Sequence, residues 1–155
     1  CDCGLRGCVK STCIPQVLVA RAVEAGVLDG PLEAVTGPAI QESFAALCAA
    51  AADGDAMAEE IIDHSAVLVA RAVSTVTNAL DVDRVVFGGP FWTCLSQRYL
   101  ERIPELVREG SATRKIHEIE VVGTGVGEDV GAVGAACLVL EHTLAPRSQR
   151  LLLEG

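Results

Sequence analysis

Three cysteines fall close together at the start of the chain, in Cys1-Asp2-Cys3-Gly4-Leu5-Arg6-Gly7-Cys8. Thiolates are soft ligands, and three of them can converge on one ion if the backbone turns sharply between them. Gly4 and Gly7 permit such turns because they carry no Cβ. Zinc suits this set, and a closed structural zinc site takes four ligands. The fourth must then come from outside the chain. The same residues also admit a plainer reading, as reduced thiols without metal or as a strained Cys1–Cys3 disulfide.

Two glycine turns are the next places where chemistry could sit. Val85-Val86-Phe87 reads as a strand that stops at Gly88-Gly89. Such an ending lets a flat ligand approach the backbone, although a purely structural tight turn explains it equally well. Gly123-Thr124-Gly125-Val126-Gly127 precedes a helix and has the form of an anion-binding loop. Glu128 and Asp129 follow it directly, where an anion would bind, so they argue for helix capping instead. His64, His117 and His142 do not cluster and read as surface or satisfied side chains. Cys94 and Cys137 lie in apolar stretches and read as core. No spacing yields a catalytic set, and no catalytic residue is assigned.

The cysteine loop resembles the signature of the ROK family (repressor, open reading frame, kinase), C-x-C-G-x-x-G-C-x-E. It matches at every position but the last, where Lys10 stands in place of glutamate. The resemblance implies an α/β fold: part of the C-terminal lobe of an actin-like ATPase, with helices packed on a small sheet. It extends over residues 1–147, with the zinc loop at 1–8 and a tail at 148–155. It further implies that an upstream histidine completes a zinc site on Cys1, Cys3 and Cys8. Gly88 and Gly89 would lie against adenosine, with Asn78 and Asp81 on the run into that strand. The family's glutamate accepts hydrogen bonds from sugar hydroxyls, whereas a lysine ammonium only donates. Lys10 therefore implies altered sugar recognition. That departure, with the extended tail from Thr143, favours a sugar-responsive transcriptional regulator. The alternative is a ROK sugar kinase of the glucokinase kind. The family's phosphate-binding Asp-x-Gly-x-Thr segment and its catalytic aspartate do not occur in these residues, so catalysis by the chain alone is not expected.

The rest of the sequence must position these turns. Half of the 155 residues are apolar but only 3% are aromatic, which predicts a core of Ala, Val and Leu. A net charge of −9 repels phosphate backbones and argues against direct nucleic-acid contact. No apolar run approaches the ~20 residues that span a bilayer, and the scattered, odd-numbered cysteines suit a reducing cytoplasm. The start at Cys1 suggests a fragment or a processed product. Apolar spacing predicts helices over 11–25, 38–52, 56–80, 97–109 and 129–142, with Pro104 limiting the fourth. Strands are predicted over 84–87 and 116–122. Small residues at Gly131 and Gly134 suggest close helix packing. So few strands against so many helices should leave Val121, Val122, Val133 and Leu138 uncovered, which points to a homo-oligomer, to completion of the domain by another chain, or to poor solubility. The expected ligand of the whole protein is a small sugar or sugar derivative.

Overall fold

The computed structural model describes residues 3–4, 8–30 and 39–144. Cys1, Leu5 to Gly7, the predicted start at Pro38 and the tail from residue 145 lie outside the described residues.

The first predicted helix is two. Helix α1 covers Lys10–Cys13 and α2 covers Pro15–Glu24, broken at Ile14, whose ψ is 149°. The pyrrolidine ring of Pro15 crowds the preceding backbone out of the helical region, so Ile14 is extended and Pro15 becomes the first residue of a new helix. Helix α3, Ala39–Ala52, buries Ile40, Phe44, Leu47 and Ala51, one stripe at helical spacing. Helix α4, Ala56–Leu80, has the predicted bounds. Asp55 starts it by accepting from the backbone N–H groups of Met57 and Ala58 at 3.0 and 2.9 Å. Asp81 ends it in the left-handed conformation, φ 51°.

Strand β1 is Arg84–Phe87, as predicted, and helix α5 is Trp92–Gly110. Helix α5 begins five residues before the predicted start and runs through Pro104. Its buried stripe of Trp92, Tyr99, Ile103 and Val107 holds the helix on either side of the single backbone bond that proline removes. Packing therefore overrides the local penalty. Helices α4 and α5 form the main helical seam. Arg98 bonds Asp63 and Glu59, each at 3.0 Å, and Arg102 bonds Asp63 at 2.8 Å. Asn78 closes the far end of the seam. Its amide donates to the Gly110 carbonyl, and its oxygen accepts from Ala112, both at 2.9 Å.

Strand β2 is only Glu120–Gly123, shorter than predicted. The N–H groups of Ile116 and His117 both bond back to the Thr113 carbonyl, which curls the chain and leaves Ile116 83% exposed. The strands pair in parallel, with Arg84 opposite Glu120 and Phe87 opposite Gly123. A 3₁₀ turn, Gly127–Asp129, leads into α6, Val130–Leu144.

The core departs from an Ala, Val and Leu mixture in one respect. The chain's three Phe, one Trp and one Tyr all gather where α3, β1 and α5 meet. Phe87 stacks on Trp92 at 5.6 Å and meets Tyr99 edge-on at 6.3 Å, while Phe44 meets Phe91 edge-on at 5.2 Å. Scarcity in the sequence thus becomes concentration in space. Helix α6 contributes nothing to this core and has no buried residue. Val133 and Leu138 on it are exposed, whereas Val121 and Val122 of β2 are half-buried. A Cβ added at Gly131 or Gly134 would meet nothing within 4 Å, so the expected close packing there does not occur among the described residues. Cys137 is exposed because it lies on α6, and Cys94 is exposed in the first turn of α5. Neither is a core residue, contrary to the expectation from their apolar neighbours in sequence. No helix of the described residues is long and apolar enough to cross a membrane.

Candidate functional site

The two glycine turns, far apart in sequence, meet at the carboxyl ends of β1 and β2. The pairing of β1 with β2 continues one step beyond the ladder, through a 2.7 Å bond from the Thr124 N–H to the Phe87 carbonyl. This sets Thr124 against Gly88. A Cβ on Gly88 would stand 2.9 Å from the Thr124 methyl, so the close approach itself demands glycine. Gly89 needs glycine for another reason. Its φ is +120° with no neighbour in the way, a conformation that side-chain-bearing residues rarely adopt. The Gly89 carbonyl then accepts from the Trp92 N–H at 3.0 Å and starts α5. The Trp92 ring lies over Gly123, where a Cβ would come within 2.7 Å of it. Thr124 is held by its own loop, its hydroxyl accepting from the Val126 N–H at 3.2 Å.

The result is a glycine-lined junction outside the carboxyl ends of the parallel strands, the place where open α/β sheets receive ligands. Thr124 and Val130 pack against Gly88 and the Trp92 ring packs against Gly123, whereas Gly89 has open space above its backbone. Sequence reasoning singled out Gly88, Gly89 and the second loop but not their union, and it passed over Thr124 and Trp92. The Gly-Thr-Gly form of the second loop was the available signal.

The second candidate is the cysteine loop. Cys3 is exposed and Cys8 half-buried, and their side chains meet. Backbone N–H groups of Lys10 and then Ser11 aim at the Cys8 sulfur and hold its pKa below the ordinary thiol value. Such donors favour the thiolate, the form that binds metal. This chemistry fits a thiolate-ligated ion at Cys3 and Cys8, while Cys1 lies outside the described residues. Among the described residues no group of three potential ligands gathers. Lys10 is the exposed first residue of α1. Helix α1 lies against α4, with the Cys13 thiol 3.9 Å from the Ser65 carbonyl. Beside it an apolar groove of about 420 Å³ runs between α4 and β1, lined by Val9, Val69, Val73, Val76 and Val85 among others. His64 and His142 are exposed, and His117 is half-buried beside Thr113 and 4.0 Å from Asp81.

Residues 1–142 match the model of the ROK family. The chain belongs to the ROK family. Its relatives include the N-acetylmannosamine kinase of Citrobacter koseri, 30% identical over 89% of this chain and 41% of that protein. The N-acetylmannosamine kinase of Yersinia pestis is 32% identical over 88% of this chain and 41% of its own length. The chain thus spans about two fifths of the curated relatives it matches. Among solved structures, a protein of Cytophaga hutchinsonii provisionally described as a sugar kinase superposes with a TM-score of 0.63 at 17% identity. That likeness covers 86% of this chain and 44% of the other. It establishes the fold: a helix-rich α/β architecture on a small parallel sheet, within the actin-like ATPase class that the ROK family shares.

Proposed function

We propose that this chain is the nucleotide-side portion of a ROK sugar kinase, with the junction of Gly88, Gly89 and Thr124 receiving the adenosine of ATP. The supporting observation is that junction. At Gly89 the backbone is bare, with φ +120° and nothing within 4 Å of where a side chain would start, while Thr124 packs over the neighbouring Gly88. The kinase relatives carry the reading to an ATP-dependent phosphoryl transfer to a sugar, and the N-acetylated hexosamine of their names is the first substrate to try. The regulator expected from the sequence becomes the second reading. One observation still favours it: Lys10, an exposed cation where the family signature has a sugar-binding carboxylate. A donor at that place suits an anionic sugar derivative better than a neutral hexose. We further propose that Cys1, Cys3 and Cys8 hold a structural zinc ion with a fourth ligand from outside this chain. Zinc there would fix the loop that precedes α1 and so place Lys10.

The test uses the full-length protein that contains this chain. ADP release is measured with ATP and N-acetylmannosamine, glucose or a sugar acid. A kinase should turn over at least one of them, and Gly89→Val should raise KM for ATP while leaving sugar affinity unchanged. Absence of turnover together with sugar-dependent DNA binding would replace the kinase with the regulator. Turnover in which Gly89→Val leaves KM for ATP unaltered would remove adenosine from the junction.

A further inference from the structure

Helices α3 and α5 touch along a short seam, and one cysteine from each lies on it. Phe44 and Phe91 make an edge-on contact at 5.2 Å across this seam. One helical turn beyond Phe44 is Cys48, and three residues beyond Phe91 is Cys94. Both cysteines therefore stand within about one helical turn of the ring contact. The two thiols are close enough to act on each other electrostatically. Cys94 is exposed, whereas Cys48 is half-buried behind it. Neither belongs to the glycine junction or to the cysteine loop.

We propose that Cys48 and Cys94 form a reversible disulfide that staples α3 to the first turn of α5, with a small-molecule disulfide such as glutathione disulfide as oxidant. The exposed Cys94 thiolate attacks one sulfur of glutathione disulfide. A Cys94–glutathione mixed disulfide forms, and the departing glutathione thiolate takes up a proton. Cys48 then loses its proton and displaces the second glutathione from Cys94. Two protein thiols are oxidised to one disulfide, and one glutathione disulfide is reduced to two glutathione thiols.

The order of steps follows from the surroundings. Burial first, and then the adjoining Cys94, push the Cys48 thiol up to about 12, so Cys48 is the poorer first nucleophile. Once Cys94 is capped its charge is gone, and only the burial contribution remains to hold Cys48 protonated. The staple sits a few residues after Gly89, so it fixes the helix on which the glycine turn is mounted.

The test is peptide mapping by mass spectrometry, under non-reducing conditions, of the purified protein equilibrated in glutathione buffers of rising disulfide content. A Cys48–Cys94 linked peptide should appear and vanish again with dithiothreitol. In Cys48→Ser, Cys94 should stop at the glutathione mixed disulfide. In Cys94→Ser, an exposed change that leaves the melt intact, Cys48 should remain a free thiol. Amide exchange through 91–95 should slow on oxidation. The proposal is overturned if the unsubstituted protein stops at the mixed disulfide on Cys94, if Cys94 pairs with Cys13 or Cys137 instead, or if Cys48 takes glutathione without Cys94.

Discussion

Replacing Gly88 by alanine tests whether the junction is built as described. Gly88 lies outside the left-handed region, so alanine would meet no left-handed backbone strain there. The effect should come chiefly from the Thr124 methyl, 2.9 Å from the new Cβ, with the Thr124 Cβ at 3.2 Å and a Val130 methyl at 3.4 Å behind it. Carbon atoms prefer about 3.5–4.0 Å, so the methyl must yield by more than half an ångström. It cannot simply rotate away, because the hydroxyl on the same carbon is bonded to the Val126 N–H and the Thr124 backbone is bonded to Phe87. Overpacking of this kind costs about 1–3 kcal/mol, which for a chain of this size lowers Tm by roughly 3–10 °C. Thr124→Ser removes the offending methyl and keeps the hydroxyl, so the double variant should recover about 1 kcal/mol of the loss. Gly89→Ala provides the contrast. It meets no atom but holds φ at +120°, a strain of order 1–3 kcal/mol that Thr124→Ser should not relieve. Thermal and urea melts followed through the single Trp92, which lies over Gly123, give the readout. A neutral Gly88→Ala, or equal rescue of both glycine variants by Thr124→Ser, would refute the steric account of this turn.

Other expectations follow from the same structure. Full-length protein should carry about one equivalent of zinc, and Cys8→Ser should lower both metal content and Tm; indifference to chelators would remove the metal. Partial burial pushes the Asp63 carboxyl up, but the hydrogen bonds from Arg98 and Arg102 outweigh it and hold its pKa below the ordinary carboxylate range. A depressed folded pKa gives stability that is complete above the unfolded value of about 3.9 and disappears as pH falls through the folded value. Acid titration of stability should therefore steepen below about pH 4, and Asp63→Asn should flatten that limb; parallel curves would deny the ion network a role. The exposed apolar residues of α6, Leu138, Val139, Leu140 and Leu144 among them, should make residues 1–155 self-associate in sedimentation and bind apolar dyes. A monomer without dye binding would contradict this.

Much of this architecture was legible from the residues. The α4 and β1 bounds were readable because caps and periodicity agree there: Asp55 before the helix, a long apolar stripe within it, and a β-branched pair before Gly88. The break at Ile14 was also readable in principle, since Pro15 announces it, but apolar spacing on both sides hid it. The early start of α5 was not readable, because it rests on the Trp92 N–H bond to the Gly89 carbonyl across a glycine turn at φ +120°, which apolar spacing does not register. Burial of Cys137 was misjudged because apolar neighbours in sequence do not say whether a helix has anything to pack against, and that of Cys94 because they do not say which face of a packed helix a residue takes: it lies off the buried stripe of Trp92, Tyr99, Ile103 and Val107. In the candidate site each glycine was visible, yet their meeting required the register of β1 on β2. The nearness of the Cys48 and Cys94 thiols left no trace in linear spacing at all.

The parallel pairing of β1 with β2 also dictates an order of events in folding. Arg84 and Glu120 are 36 positions apart, and all of α5 lies between them. Closing so long a loop carries an entropic cost that nothing local repays. A helix forms in about a microsecond or less, and α5 can dock on α4 through Tyr99, Ile103 and Val107 before any strand is paired. Asn78 then ties the end of α5 to the end of α4 and shortens the remaining loop to the few residues before Glu120. The sheet is therefore a late product of the helical seam. Substitutions in the α4–α5 seam should slow folding, while those in β2 should chiefly hasten unfolding. The junction, which exists only where the two strands end side by side, is then the last part of the described chain to take shape and the first to be lost.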